Sequence, residues 1–419
     1  MISLIITIIK LLIILCLVAT IHEFGHFIIA KLFKMGVDEF SIWFGPLIVQ
    51  KKFKGTMYSL RWIPLGGYCA IEGEEGSSDS PTSFANKNAV EKILVLLAGA
   101  TFNAILAIII FVSIAFSYDT YTTNITGLKE NSILEQAGVA VGDTIYSING
   151  KKVTLQSDIL DQSFADDGSN DVVVEYIHNG EKLTTTVKDA VRDIGYIGVA
   201  FRINSDNTDV TNEIDMVASG SAAVDAGLKA GDIILSVNGE PTINSSDVIT
   251  KIRNLPNEEV TLNINRDGEN KEIEITPTSK KYFDLEITST AKVNTTLKLA
   301  CISAIANVSE IVGSYADLFK GKVSVSDMSG IVGIGEVVSK TSGFIEFLNL
   351  LGIISLAVGV ANVMPFPPLD GGKIVIVLGE VVTRKKISEK AEAIISYIGF
   401  ALLIGLTIFV TYNDIIRIL

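Results

Sequence analysis

One long apolar run at the start of the chain constrains the fold more than any other feature. Between residues 2 and 30 its charged side chains are Lys10 and Glu23, and it also carries two histidines. Because about 20 apolar residues cross a bilayer, this run predicts a membrane helix over roughly residues 3–31. A secretory signal is not expected, since the run is too long for one and lacks a basic start and a small-residue cleavage site before the histidines.

The two histidines flank a glutamate in the sequence His22-Glu23-Phe24-Gly25-His26. On a helix, side chains four residues apart project about 40° from each other, so both imidazoles can reach one cation. The pattern H-E-x-x-H pairs two zinc ligands with a glutamate that deprotonates the attacking water. The bare pattern often arises by chance, but its position inside a membrane helix makes His22 and His26 candidate Zn²⁺ ligands and Glu23 the candidate base.

A third ligand is expected because hydrolytic zinc has three protein ligands and one open position. The remaining histidine, His178, lies in a polar turn that we expect on the other side of the membrane, so the third ligand should be a carboxylate or a thiolate. Asp370 is the sole acid at membrane depth in the third predicted helix, within a proline-broken, glycine-flanked segment. An ionisable group at that depth is costly and usually functional, with a cation as its expected partner. The three cysteines are scattered and predict neither a disulfide framework nor a cysteine zinc site.

Charge is distributed very unevenly along the chain. Residues 118–290 carry 29 Asp and Glu against 14 Lys and Arg, a net charge of −15, and because the whole chain has −13 the remainder sums to +2. The mean hydropathy of +0.44 is too high for an ordinary soluble enzyme. This pattern predicts an acidic soluble module set into a membrane-embedded frame, and nothing in it indicates nucleic-acid binding.

Four membrane helices are predicted, with both ends of the chain outside the cell. Lysines and arginines gather in residues 31–92 and 384–386, which the positive-inside rule assigns to the cytoplasm, so the histidine motif faces that side and the acidic module lies outside. Residues 38–71 predict a β-hairpin that dips into the membrane. Residues 295–319 are too polar to span and predict an amphipathic helix that lies at the interface or packs on the membrane domain. The four helices are expected at residues 3–31, 90–116, 344–364 and 393–410.

The acidic module contains an internal repeat with a period of 89 residues. The pattern that runs from Ala137-Gly138 through Gly142-Asp143 to Asn149-Gly150 recurs from Ala226-Gly227 through Gly231-Asp232 to Asn238-Gly239. Each copy predicts a short helix, a Gly-Asp turn, a strand and an Asn-Gly hairpin. We therefore expect two small sister domains at 118–203 and 206–288, flanked by residues 1–117, 293–340 and 341–419.

The motifs suggest a reaction. Glu23 would take a proton from water and later donate it to the leaving amine. Asn362 would donate a hydrogen bond to the substrate or, equally well, cap the end of the third helix. The backbone amides of a membrane helix are protected by hydrogen bonds, so cleavage requires local unwinding, and the hairpin could hold the unwound substrate as an added strand.

Two motifs together, H-E-x-x-H and the pattern Asn-x-x-Pro-x-Pro-x-Leu-Asp-Gly at residues 362–371, resemble the site-2 protease family of intramembrane zinc metalloproteases, in particular the bacterial regulator-of-sigma-E-protease type. The resemblance covers essentially the whole chain. It implies a multi-pass α-helical membrane protein with four membrane helices, a membrane-reentrant β-hairpin and two inserted α+β PDZ domains. It also implies these site residues: His22, His26 and Asp370 as zinc ligands, Glu23 as catalytic base, and Asn362, Pro365 and Pro367 near bound substrate.

The same resemblance implies a location and partners. Members of the family cut single-pass membrane substrates, such as anti-sigma factors or remnant signal peptides, in the bacterial cell membrane. The PDZ pair is expected to filter substrates by size or to bind extracytoplasmic peptides. The chain departs from the family at Trp43-Phe44-Gly45, at Ala98 to Asn103 and at Ser329-Gly330-Ile331, none of which is a proposed ligand.

Two other functions fit parts of the pattern. One is a membrane scaffold or receptor whose PDZ pair binds peptides and whose metal site is structural, but such a site has no need of Glu23. The other is a metal transporter, which two histidines and a single buried carboxylate disfavour because they leave no relay across the membrane.

Overall fold

The computed structural model describes residues 2–74, 80–164, 169–203, 210–218, 220–320, 330–341, 343–385 and 387–418. These residues form two compact units, of which the first combines Met1–Tyr118 with Thr295–Leu419 and the second is Asp119–Asn294. The first unit contains the long apolar helices, and the second contains the repeat.

The first unit begins with two long helices separated by a β-hairpin: α1 (Ile2–Leu32), β1 (Val37–Phe53), β2 (Thr56–Ile71) and α2 (Ala89–Ala115). The predicted hairpin is present, and its turn is Lys54-Gly55, where both residues have the positive φ that a two-residue hairpin turn requires. Helix α2 begins at a capping box in which Asn88 and Glu91 each bond the backbone N–H of the other.

The hairpin contains three paired segments, because the long strand β2 pairs with β1 twice. Residues Glu39–Ile42 of β1 pair on one side with Met57–Leu60 and on the other with Gly67–Ala70. The segment Gly67–Ile71 therefore forms an outer edge of this small sheet. An edge strand presents unpaired N–H and C=O groups to its surroundings.

The second unit contains two sheets with the same spatial order of strands. The first sheet has the order β16-β3-β4-β6-β7 and the second β9-β10-β11-β13-β14. Each sheet encloses its own apolar core together with short helices. The elements are β3 (Thr120–Leu128), α3 (Ile133–Gln136), β4 (Thr144–Ile148), β5 (Lys151–Lys152), α4 (Gln156–Gln162), β6 (Val172–His178), β7 (Glu181–Val187), β8 (Val191–Tyr196), β9 (Val199–Ile203), β10 (Val210–Val217), α5 (Ala222–Asp225), β11 (Ile233–Val237), β12 (Glu240–Pro241), α6 (Ser245–Arg253), β13 (Val260–Arg266), β14 (Glu269–Ile275), β15 (Thr278–Phe283) and β16 (Ile287–Val293).

The two domains are interleaved along the chain. Strand β16, which follows the second copy of the repeat, pairs with β3 of the first, and β15 pairs with β8. Phe283 and Leu285 belong to the first core. The domain limits 118–203 and 206–288 stay a prediction, and the first sheet takes its edge strand β16 from the end of the second range and the residues after it.

The first unit is completed by five helices: α7 (Leu297–Phe319), α8 (Ile331–Lys340), α9 (Phe344–Val363), α10 (Asp370–Thr383) and α11 (Glu389–Ile418). Among the described residues, five helices are long and apolar enough to cross a membrane, at Leu4–Leu32, Ala89–Ala115, Leu297–Ala316, Phe344–Val363 and Lys390–Ile416. Four of them match the predicted spans. The additional one, Leu297–Ala316, covers the stretch that we expected at the interface or packed on the membrane domain, so the count of four stays a prediction.

Candidate metal centre

Helix α1 brings His22 and His26 together on one face, as their spacing predicts. Their Nε2 atoms lie 3.1 Å apart and their ring centroids 4.8 Å apart. Each residue is 8% exposed. Two buried imidazoles with their Nε2 atoms at this distance could bind one metal ion together.

Asp370 completes a triangle of ligand atoms. Its Oδ2 lies 3.0 Å from His22 Nε2 and 3.3 Å from His26 Nε2. A tetrahedral zinc ion with bonds of about 2.0–2.1 Å keeps neighbouring ligand atoms about 3.3 Å apart, so the three separations fit that ion. Asp370 is the first residue of α10 and is 344 residues beyond His26 in the sequence. The fold therefore assembles a donor set that zinc prefers from distant parts of the chain.

The tautomer of His26 is fixed by a neighbouring helix. His26 Nδ1 lies 2.8 Å from the backbone oxygen of Val95 in α2. Because a carbonyl oxygen only accepts hydrogen bonds, Nδ1 must donate, which leaves the lone pair of Nε2 free for a metal. Buried metal-binding histidines commonly have such a partner for their second nitrogen.

Glycines allow α1 and α2 to approach closely around the histidines. A Cβ atom built on Gly99 would lie 2.5 Å from His26 Nε2 and 2.6 Å from His22 Nε2. A Cβ built on Gly25 would lie 2.5 Å from the backbone oxygen of Ala98. The backbone of Gly99 thus lies directly against the two histidine rings. The sequence identified the small residues here as a helix-packing face, but not Gly99 as part of the metal centre.

Glu23 is held by the hairpin. Its Oε2 accepts a hydrogen bond from the backbone N–H of Cys69, at 3.0 Å. Cys69 lies on Gly67–Ile71, the outer edge of the small sheet. The role of this N–H was not predicted, because a backbone donor leaves no signal in the sequence.

A proline-rich segment, residues 364–369, connects α9 to α10, whose first residue is Asp370. A Cβ built on Gly371 would lie 2.2 Å from the backbone oxygens of Val363 and Met364, and one built on Gly372 would lie 2.5 Å from the backbone nitrogen of Pro367. The two glycines after Asp370 therefore let the segment fold tightly onto the start of α10. Sequence reasoning placed Asp370 in an irregular segment, whereas the structure begins a helix with it.

The remaining predicted site residues lie beside this segment. Asn362 Nδ2 donates to the backbone oxygen of Val358, one turn earlier in α9, at 3.0 Å. Pro365 and Pro367 lie between α9 and α10, and Pro367 packs against Gly399 of α11. The Asn362 side chain is thus hydrogen-bonded within α9.

His178 has a structural partner in the second unit. Its Nδ1 lies 2.7 Å from Oδ1 of Asp143, and Asp143 is 3% exposed. Asp143 belongs to the repeated Gly-Asp turn, where its other oxygen accepts the N–H of Ala140. His178 thus supports a turn of the second unit.

Comparison with known proteins identifies the family of the chain. The model of the family described as "Peptidase family M50" matches residues 10–406. A protein of Fusobacterium nucleatum with the name "Putative zinc metalloprotease" is 30% identical over 95% of both chains. Proteins with the same descriptive name from Borreliella burgdorferi, 30% identical over 93% of both chains, and from Clostridium acetobutylicum, 27% identical over 94% of this chain and 93% of that protein, are similar along their full length.

Proposed function

Because the chain belongs to peptidase family M50, we propose that His22, His26 and Asp370 hold its zinc ion and that Glu23 is its catalytic base. The protein is an intramembrane zinc metallopeptidase of the site-2 type. The observation that carries the assignment of residues is the triangle of His22 Nε2, His26 Nε2 and Asp370 Oδ2, with sides of 3.0–3.3 Å.

The chemistry is divided between the metal and the chain. When bound, zinc acts as a Lewis acid that lowers the pKa of water toward about 7 and polarises the scissile carbonyl. The Glu23 carboxylate takes the proton of the attacking water and delivers it to the leaving amine. The N–H of Cys69 keeps this carboxylate in one orientation, and Val95 keeps the ring of His26 in one tautomer.

Substrates in this proposal are single-pass membrane proteins, such as anti-sigma factors or signal-peptide remnants, cut within or next to their membrane helix. An unwound segment would add as a strand to the edge Gly67–Ile71, because that edge also carries the N–H that orients Glu23. Asn362, Pro365 and Pro367 would contact the segment once the Asn362 amide turns away from Val358.

We further propose a bacterial cell-membrane location, with the centre toward the cytoplasm and the two sister domains, as PDZ domains, outside. The basic residues around α1, α2 and α10 support this orientation. Four spans are favoured because the fifth candidate, Leu297–Ala316, has a mean hydropathy of 1.4, against 2.1–3.0 for the others. In this arrangement the sister domains either filter substrates by size or bind peptides.

Cleavage of a membrane-anchored substrate in proteoliposomes tests the proposal. The variant Glu23→Gln should lose at least about a thousandfold in kcat while it retains zinc, because glutamine cannot accept the proton. Glu310→Gln is the matched control, since Glu310 is an exposed residue of α7. Chelation of zinc should abolish cleavage by the wild type. Cleavage by Glu23→Gln at the wild-type rate would remove Glu23 from the reaction.

A further inference from the structure

A basic cavity lies between the beginning of α2 and the end of α10. Its volume is about 210 Å³, and its charged lining consists of four bases, Lys87, Lys92, Arg384 and Lys385, and one acid, Glu380. Four positive charges and one negative charge leave the lining with a net charge of +3. Like charges gathered around one cavity repel each other, and an anion bound between them offsets this repulsion. The cavity is therefore suited to an anionic ligand.

The single acid does not neutralise the bases around it. Oε1 of Glu380 accepts the backbone N–H of Ile387 at 2.9 Å. Within the described part of the chain, Lys87, Arg384 and Lys385 form no ion pair with Glu380 or with another carboxylate. Lys87 Nζ instead donates to a backbone oxygen at 3.1 Å, which is a neutral acceptor. These three cations are thus available to a negatively charged ligand.

The two helix ends at the cavity differ in how they affect a cation. Arg384 and Lys385 follow α10, and a positive charge is favourable at the C-terminus of a helix. Lys87 and Lys92 flank the start of α2, where the helix dipole disfavours a positive charge. Glu91, the acid of that turn, is part of the capping box and does not line the cavity. The pair on α2 is therefore the part of the lining that indicates an anion.

The start of α2 also supplies a hydrogen-bond donor. Ala89 is the first residue of α2 and lines the cavity. Its backbone N–H has no acceptor among the residues that the structure describes. Lys92 is 9% exposed, so most of its surface is removed from water beside this open N–H. A helix N–H and neighbouring cations are the groups that bind phosphate oxygens in proteins.

The surface next to the cavity is apolar. Val90 and Leu94 are 65% and 44% exposed on α2, and Leu378 and Val381 are 48% and 55% exposed on α10. Val381 also lines the cavity. Helix α2 is a candidate membrane span, so its first turn lies near a membrane surface. A basic cavity beside exposed apolar side chains at that depth matches the two parts of a phospholipid, a phosphate headgroup and its acyl chains.

We propose that this cavity binds the phosphate headgroup of an anionic phospholipid, whose acyl chains lie along the exposed apolar residues of α2 and α10. The phosphate accepts the N–H of Ala89 and faces Lys87, Lys92 and Arg384. The bound lipid holds the end of α10 against the start of α2. Because α10 begins at Asp370, the lipid stabilises the position of a helix that the proposed metal centre uses. The lipid site itself rests on the membrane location and not on the peptidase reaction.

Native mass spectrometry of the full chain in a non-ionic detergent counts the bound lipids and gives their affinities. The probes are dioctanoyl phosphatidylglycerol, dioctanoyl phosphatidylcholine and inorganic phosphate. We expect one phosphatidylglycerol per chain, bound at least about tenfold more tightly than phosphatidylcholine, because the basic lining repels the choline cation. Equal affinity for the two lipids would overturn the proposal. Inorganic phosphate that binds as tightly as phosphatidylglycerol would assign the cavity to a soluble anion and would also overturn it.

Two double variants with the same change in net charge locate the site. Arg384→Gln with Lys385→Gln should weaken binding of phosphatidylglycerol at least about tenfold. Lys34→Gln with Lys52→Gln is the matched control and should leave binding unchanged, because these lysines do not line the cavity. All four side chains are exposed, so both variants are expected to fold. Equal losses in the two variants would show a general attraction to positive charge and no defined site.

A variant that strengthens binding separates the site from the fold. Glu380→Gln removes the negative charge of the cavity and keeps an oxygen that can accept the N–H of Ile387. Binding of phosphatidylglycerol should become at least about threefold tighter, because an anion no longer meets this carboxylate. Unchanged or weaker binding would contradict the proposal. Glu23→Gln should bind phosphatidylglycerol as the wild type does, so a failure of the lipid site and a failure of the proposed peptidase chemistry are measured separately.

Discussion

Gly99 lies against His26 so closely that a Cβ atom at this position would be 2.5 Å from the ring nitrogen Nε2. One helical turn earlier, Val95 accepts the hydrogen bond of the other ring nitrogen. Helix α2 therefore both orients the imidazole and leaves room beside it. The proposed metal centre depends on this helix although α2 supplies none of its three proposed ligand side chains.

The variant Gly99→Ala should lose zinc. Its methyl group would occupy the space around the Nε2 atoms of His22 and His26, so the rings must turn and the ligand triangle opens. We expect zinc per chain, measured by atomic emission, to fall at least about tenfold, together with peptidase activity. Gly405→Ala in α11 is the control, because its Cβ would meet nothing within 4 Å. Full zinc content in Gly99→Ala would contradict the tight fit.

Zinc content also distinguishes the two kinds of histidine. His26→Asn removes a proposed ligand and should lower bound zinc at least about tenfold. His178→Asn should keep all of the zinc, since His178 bonds Asp143 in the second unit. Loss of zinc in both variants would indicate that zinc content depends on the stability of the whole protein and not on one particular histidine.

The proposed ligands could be identified as candidates from the sequence, because each leaves a local signal. The spacing of His22 and His26 matches one helical turn, and Asp370 stands out as an acid at membrane depth. The groups that surround the ligands and Glu23 could not be predicted. Gly99 acts through the absence of a side chain, and Cys69 acts through a backbone N–H, so neither differs in sequence from an ordinary packing residue.

The pairing of strands between the interleaved sister domains is a second feature that could not be predicted from the sequence. The 89-residue repeat reveals two similar domains, but the alternation of apolar residues in a strand does not specify its partner. Strand β16 has the pattern of any edge strand, and its pairing with β3 is set by contacts more than 150 residues apart. Pairing over such distances depends on the tertiary fold.

The hydrogen bond from Cys69 to Glu23 predicts a separation of zinc binding from catalysis. Cys69→Pro removes the N–H that Glu23 accepts, at an edge strand where proline is tolerated. We expect kcat to fall about tenfold to a hundredfold with zinc content unchanged, because the base loses its orientation while the ligands stay in place. Cys69→Ala keeps the N–H and should behave as the wild type. Equal losses in the two variants would show that the thiol is what matters.

The charge of Glu286 predicts how stability depends on pH. Burial raises the pKa of the Glu286 carboxyl, but the N–H of Ile133 and the ammonium of Lys129 outweigh burial and hold that pKa below its usual range. Because its folded-state pKa lies below the unfolded value of about 4.3, Glu286 contributes stability above that pH, and the contribution is lost as the pH falls through the folded-state pKa. Glu286→Gln should therefore be less stable than the wild type by about 1 kcal/mol between pH 5.5 and 8, which lowers the unfolding midpoint by about 2–4 °C. The difference should shrink as the pH falls through the folded-state pKa of Glu286.

Calorimetry of the full chain in detergent measures these midpoints. Glu269→Gln serves as the control, since Glu269 is exposed and pairs with Lys271 at 3.6 Å, and such surface pairs contribute little. A difference for Glu286→Gln that stayed the same as the pH was lowered would mean that the side chain acts through its shape and not through its charge. A difference confined to neutral pH would mean that its negative charge fixes the N-terminus of α3 and the start of β16.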